Sequence, residues 1–183
     1  TGDFCVMGWF KTTSNGITLL EYGTSPRSGE GYTLYMDGSG QLQWYKILNG
    51  DAYLVVAASS SQNNGVWTNY AVVRRNGTVS LYFNGAFNNS GSDTTNITNS
   101  SAKFRIGLNH STSFWSGSQA LLRASATVPS AAQIAKIYND EKHLFQAGAQ
   151  ATLYGASDAV TALAYDDATE LLHVGTSQGR SVF

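Results

Sequence analysis

Between Trp67 and Phe87, apolar and polar side chains alternate on both sides of an Asn-Gly pair: Tyr70-Ala71-Val72-Val73-Arg74-Arg75, Asn76-Gly77, then Thr78-Val79-Ser80-Leu81-Tyr82-Phe83. The pattern predicts a β-hairpin, because a two-residue type I′ turn needs positive φ at both central positions and Asn-Gly supplies it. A second pair, Asn84-Gly85, closes the outgoing strand. Near the N-terminus Phe4, Val6, Gly8 and Phe10 alternate with Cys5, Met7, Trp9 and Lys11. That strand is apolar on both faces, so it belongs inside a sandwich. Ile17 to Tyr22, Tyr32 to Met36, Leu42 to Ile47 and Tyr53 to Ala58 read as further strands between Gly-, Asn- and Ser-rich turns. Such regular spacing predicts an antiparallel sandwich.

After the hairpin, the polar run Asn88 to Ser101 reads as a long loop, and Phe104 to Leu108 and Gln119 to Val128 return to strand. One helix is signalled. Ser130 can cap it, Gln133 follows at the capping-box position, and Ile134, Ile137, Tyr138 and Leu144 form an apolar stripe. Beyond Leu144, Val160 to Asp166 and Leu171 to Thr176 form a second hairpin across Asp167-Ala168-Thr169, and Phe183 falls within what reads as another strand. A lone hairpin is marginal without a surface to cover it.

The chain has 183 residues, 13% of them charged, and a net charge of −1, so bulk electrostatics favours neither nucleic acid nor an anionic membrane. Nineteen Gly and 12% aromatic residues, with abundant Ser, Thr and Asn, are the composition of an extracellular all-β protein. Cys5 is the lone cysteine; it can form no intrachain disulfide and reads as a small core hydrophobe. No apolar run is long enough to span a membrane, and no basic, apolar leader is present. The abrupt ends at Thr1 and Phe183 suggest a piece of a longer polypeptide.

Over about residues 1–142 the motifs stand in an order that resembles the laminin G-like, concanavalin A-like jelly roll. They are Phe4 to Thr12 ending in Trp9-Phe10-Lys11, Gly31 to Tyr35, Trp67 to Arg75, Thr78 to Gly85, Phe104-Arg105-Ile106-Gly107, Phe114 to Gly117, and Val128-Pro129-Ser130 leading to Ile137-Tyr138. The resemblance implies an all-β antiparallel jelly-roll sandwich over 1–145, with one short C-terminal helix. Residues 146–183 then form a β-hairpin extension, the start of a propeller or an assembly segment. Two departures stand out. The family has a further strand before the point where this chain begins, and Gln119-Ala120 stands where an acidic pair is frequent.

Glucanases of this fold use two carboxylates, commonly as Glu-x-Asp-x-x-Glu. That pattern is absent, which points away from an enzyme. Asp140-Glu141 reads as solvated charge and Asp166-Asp167 with Glu170 as turn chemistry, while His110, His143 and His173 are scattered. A calcium ion would draw on the loop acids Asp37, Asp51 and Asp93. Sugars stack their C–H faces on aromatic rings while Asn, Gln, Ser and Arg bind the hydroxyls. Trp44 and Tyr45, flanked by Gln41 and Gln43, are one candidate platform, although an aromatic inside a sandwich strand usually packs and the core is the favoured place for Trp44; Trp115, following Asn109-His110 in a polar loop, is another. Trp9 and Trp67 read as packing residues. Five Asn-x-Ser/Thr sequons, at Asn76, Asn88, Asn96, Asn99 and Asn109, are what an Asn-, Ser- and Thr-rich chain generates by chance.

The leading reading is a noncatalytic lectin-like adhesion module, extracellular or on a virion surface, that binds a glycan or a neighbouring protein. The second is a structural subunit of a phage fibre or other extracellular assembly, in which the sheet edge and terminal hairpin pair with adjacent copies as a homo-oligomer or larger array.

Overall fold

The computed structural model describes residues 2–24, 28–110, 112–146, 153 and 159–183. Residues Thr1–Asp140 form one compact unit and Glu141–Phe183 a second. The first unit is a sandwich of two five-stranded antiparallel sheets. One has the order β10 (Ser118–Ser125), β1 (Phe4–Lys11), β6 (Thr68–Arg75), β7 (Thr78–Phe83), β8 (Ala86–Ser92). The other runs β5 (Asp51–Ala57), β4 (Leu42–Leu48), β3 (Gly31–Met36), β2 (Ile17–Gly23), β9 (Lys103–Ile106).

The predicted hairpin is present. Arg75 pairs with Thr78 across Asn76 and Gly77, whose φ values are 49° and 75°. Asn49-Gly50 and Asn84-Gly85 repeat the device, with φ of 52° and 91° and of 49° and 78°. The last of these corrects the sequence reading. Because Asn84-Gly85 folds the chain back, Asn88 to Ser92 belong to strand β8, paired to β7, and the loop begins at Asp93. The strand predicted over Phe104 to Leu108 ends at Ile106, where Gly107 turns the chain at φ 70°.

Between the sheets lie Val6, Phe10, Leu19, Leu20, Leu34, Met36, Leu42, Trp44, Tyr70, Val72, Val79 and Leu81. The other apolar face of β1 is covered differently. Helix α1 (Ala131–Glu141) buries Ile134 against Cys5, Met7, Ala71 and Val73, and Tyr138 stacks on Trp9 with centroids 5.7 Å apart. The capping box forms: Ser130 N–H donates to Gln133 Oε1 at 2.8 Å, and Gln133 N–H to Ser130 Oγ at 3.3 Å. Leu144 does not join the stripe. It falls in a following 3-10 turn and is 60% exposed.

One lateral edge of the sandwich is shut, because Asn89 Nδ2 on β8 donates to the Ala57 carbonyl on β5 at 3.0 Å and a Cβ at Gly91 would lie 1.9 Å from the Val55 carbonyl oxygen. The second unit holds the sheet β11 (Val160–Asp166), β12 (Leu171–Thr176), β13 (Gly179–Val182), so the predicted hairpin gains a third strand. Its first turn is built by Asp166, which accepts from Ala168 N–H at 3.0 Å and Thr169 Oγ1 at 2.8 Å. These bonds, the Thr169 hydroxyl foremost, hold its carboxyl below the usual range.

Ile134→Ala would empty the site that fixes the helix, costing about 2–5 kcal/mol in urea unfolding. Burial pushes the Cys5 thiol from 9.0 up to about 11. The folded state therefore keeps a proton that the unfolded chain loses, and stability falls as pH rises from about 9 to about 11. The urea midpoint of Cys5→Ala will decline less over that interval than that of the parent.

Candidate functional site

Because side chains alternate along a strand, packing Leu34, Met36, Leu42 and Trp44 inward turns Thr33, Tyr35, Gln43 and Tyr45 to the outer face of the second sheet. Thr18 lies opposite Tyr35, and Thr33 opposite both Glu21 and Tyr45. Thr18, Thr33, Tyr35, Tyr45 and Ala52 line a groove of about 300 Å³, completed by Asn109 and His110 from the loop after β9.

That loop is pinned at several points. Gly107 N–H donates to the Leu19 carbonyl and Trp115 N–H to the Gly107 carbonyl, both at 2.8 Å. Within it, Ser113 N–H donates to Asn109 Oδ1 at 3.1 Å. Ser113 Oγ accepts from Thr18 Oγ1 and donates to the Gly16 carbonyl, each at 3.1 Å, which ties the loop to the start of β2. Asn109 and His110 are thereby held over the sheet.

Behind the groove lies Glu21, fully enclosed. Its Oε2 is 3.5 Å from His110 Nδ1 and its Oε1 is 3.9 Å from Arg105 Nη1, which also donates to the Gly23 carbonyl at 2.7 Å. An enclosed carboxylate needs such partners, since desolvation costs several kcal/mol per ion. Glu21 and Arg105 escaped the sequence reading, as did Thr18, Thr33 and Tyr35. One signal was present: Glu21 is the single charge in the apolar run Ile17 to Tyr22.

Tyr45 is fixed by a relay. Its hydroxyl donates to Gln43 Oε1, and Gln43 Nε2 donates to Asp37 Oδ2 at 2.8 Å. Asp37 Oδ1 accepts from the Ser39 and Gln41 amides, each at 2.8 Å. The Tyr35 and Tyr45 rings meet edge to face at 6.5 Å and 73°. Enclosure first, then the Asp37 charge and Tyr35, raise the Tyr45 phenol above its ordinary value.

The other expected site residues fall elsewhere. Trp44 is 2% exposed and stacks on Tyr32 at 5.2 Å in the core. Tyr45, its neighbour, takes the outer face, since consecutive strand residues cannot share one. Trp115 turns its ring onto the core, edge to face with Phe10 at 5.5 Å, leaving Phe114 at the surface. Asp37 is engaged by its own turn. Asp51 is exposed at the start of β5, opposite Leu48. Asp93 is buried, accepting from the Thr95 amide at 3.0 Å with Lys46 Nζ at 3.8 Å. Among the described residues no three His, Cys, Asp or Glu side chains gather as a metal site. Trp9 packs as expected, whereas half-buried Trp67 lines a separate cleft with Thr12, Thr13, Ser14 and Ser116.

Two opposed five-stranded antiparallel sheets, one with a groove of mixed polar and aromatic lining on its outer face, define a jelly-roll sandwich. Residues 1–135 match the laminin G model of the concanavalin A-like lectin/glucanases superfamily, and the chain belongs to that family. No curated protein matches it. Among solved structures it is similar to domain 4 of AbnA, a GH43 extracellular arabinanase from Geobacillus stearothermophilus, in complex with arabinotriose. That likeness has a TM-score of 0.62 at 20% identity, covering 75% of this chain and 68% of the other. The CBM40 of the Ruminococcus gnavus IT-sialidase bound to α2,3 sialyllactose gives 0.59 at 15% identity, covering 75% and 83%. A SAP-like pentraxin from Limulus polyphemus, a native heptamer, gives 0.53 at 13% identity, covering 98% and 82%.

Asp37→Asn removes a charge but keeps an acceptor, so the Tyr45 pKa should drop while staying above its ordinary value, because enclosure is the larger cause. An NMR titration of ring-labelled tyrosine reads it.

Proposed function

We propose that this chain is a noncatalytic lectin-like module whose ligand is a short glycan segment held in the groove between Tyr45, Tyr35, Asn109 and His110. The observation that carries this reading is the groove itself: two fixed tyrosine rings with an amide and an imidazole around about 300 Å³, over a floor that includes buried Thr18 and Thr33. Aromatic faces with a few placed polar groups are what saccharide recognition uses, and that volume lies at the lower bound of ordinary ligand pockets, roughly 300–1,000 Å³. The arabinotriose and sialyllactose held by two similar structures add support. Hydrolysis would need two carboxylates flanking the bond. The groove is lined by none, and Glu21 behind it is enclosed. The setting we propose is adhesive and extracellular, on a cell or virion surface.

The test is a glycan array probed with the purified protein, with calcium and with EDTA. A saturable ligand is expected, reduced tenfold or more by Tyr45→Ala and by Asn109→Ala and unchanged by Lys136→Ala on the helix. Binding should be indifferent to EDTA, because Asp37 and Asp93 are committed to local hydrogen bonds. An array without ligands, or groove variants that bind like the parent, would overturn the reading.

A further inference from the structure

The hydroxyls of the groove have a direction, and it is set from behind. A carboxylate accepts and never donates, so Asp37 Oδ2 holds Gln43 by its NH2 end, at 2.8 Å. That leaves Gln43 Oε1 facing Tyr45, and the Tyr45 hydroxyl donates to it. With its one proton committed, the phenol oxygen offers the groove lone pairs alone. The floor repeats the pattern. Ser113 Oγ gives its proton to the Gly16 carbonyl and so accepts that of Thr18 Oγ1, while Thr33 Oγ1 donates to the Leu20 carbonyl at 3.3 Å. Three of the four hydroxyls that line the groove thus point their hydrogens away from it.

Charge runs the same way. No lysine or arginine lines the groove. Lys46 turns to Asp93, Arg105 to Glu21 and the Gly23 carbonyl, and His110 Nδ1 to Glu21. Two carboxylates stand one side chain back from the lining, Glu21 behind His110 and Asp37 behind Gln43. The field of the second reaches the groove: after enclosure, the Asp37 charge is the next cause of the raised Tyr45 phenol.

We infer that the groove takes hydrogen-bond donors and so selects neutral saccharides over acidic ones, which rests on the glycan reading above and adds the chemical class of the ligand. A sugar hydroxyl donates to the Tyr45 oxygen. A carboxylate or a sulfate ester is acceptor-only and meets lone pairs where it needs protons. Both groups would give up water for no bond, and a site built on placed polar groups discriminates strongly against such a misfit. Asp37, acting through Gln43, is the positioning residue for this selectivity and touches no ligand itself.

Matched probes are neutral trisaccharides and counterparts whose hydroxymethyl groups are oxidised to carboxylates: galactotriose with trigalacturonate, mannotriose with trimannuronate, cellotriose with its triglucuronate. Each is titrated into the whole protein near neutral pH, with binding read from the Tyr35 and Tyr45 ring signals. At least one neutral member is expected to bind, and its acid at least tenfold more weakly. Asp37→Asn keeps the oxygen that holds the Ser39 and Gln41 amides and puts an NH2 where Oδ2 stood, so Gln43 turns over and the Tyr45 proton swings into the groove. The preference for the neutral member should then fall at least fivefold. Gln43→Met, similar in size, cuts the relay and leaves the Asp37 charge in place; it should narrow the preference likewise. An acid that binds as well as its neutral partner overturns the inference and leaves the glycan reading standing. So does a parent-like preference in either variant. If no member moves the Tyr45 signals at millimolar concentration, both fall.

Discussion

The packing of two sheets across one apolar layer governs the rest of this molecule. A strand has a side-chain period of two, so outside a bulge such as the one that turns both Leu19 and Leu20 inward, each residue committed to the layer commits its neighbours to the opposite face. Trp44 inward means Tyr45 outward; Leu34 and Met36 inward mean Thr33 and Tyr35 outward. The groove is thus the obverse of the core. Its precision comes from large side chains that cannot shift without opening a void. The first sheet has no such polar obverse near its centre, because α1 covers Cys5, Met7, Ala71 and Val73.

Charge is scarce, and three charged side chains lie inside the sandwich unit. Glu21, Arg74 and Asp93 are all buried, and each connects segments far apart in sequence. Arg74 donates to the carbonyls of Gly2, Asp93 and Thr95, stitching the start of β1 and the loop after β8 onto β6. Glu21 does the same for β9 and the loop bearing His110. These groups brace loops that have little apolar surface of their own. They are costly to desolvate and harder still to remove singly, since each would leave a partner stranded.

The sequence made the architecture legible where local chemistry and long-range packing agreed. Asn76-Gly77 dictates its own turn, the alternation in Phe4 to Lys11 announces two buried faces, and Ser130 with Gln133 announces a helix start. Strand β8 escaped because an edge strand pairs through its main chain and needs no apolar pattern. In the groove, Tyr45, Asn109 and His110 were visible as residue types. Their convergence was not, because it depends on β3, β4 and the loop after β9 meeting in space. Trp115 misled for the same reason: composition names an aromatic, and only the packing of its loop says which way the ring turns.

Three hairpin turns share the dipeptide Asn-Gly, each with both residues at positive φ. The same dipeptide is where polypeptides lose ammonia most readily, as the glycine nitrogen closes on the asparagine amide carbon and the ring reopens with an extra methylene in the main chain. A turn that tolerates only two residues cannot absorb that insertion. The positions that set the register of β4 to β8 are therefore also the positions at which the protein ages, and its lifetime depends on how firmly those strands hold the turns closed.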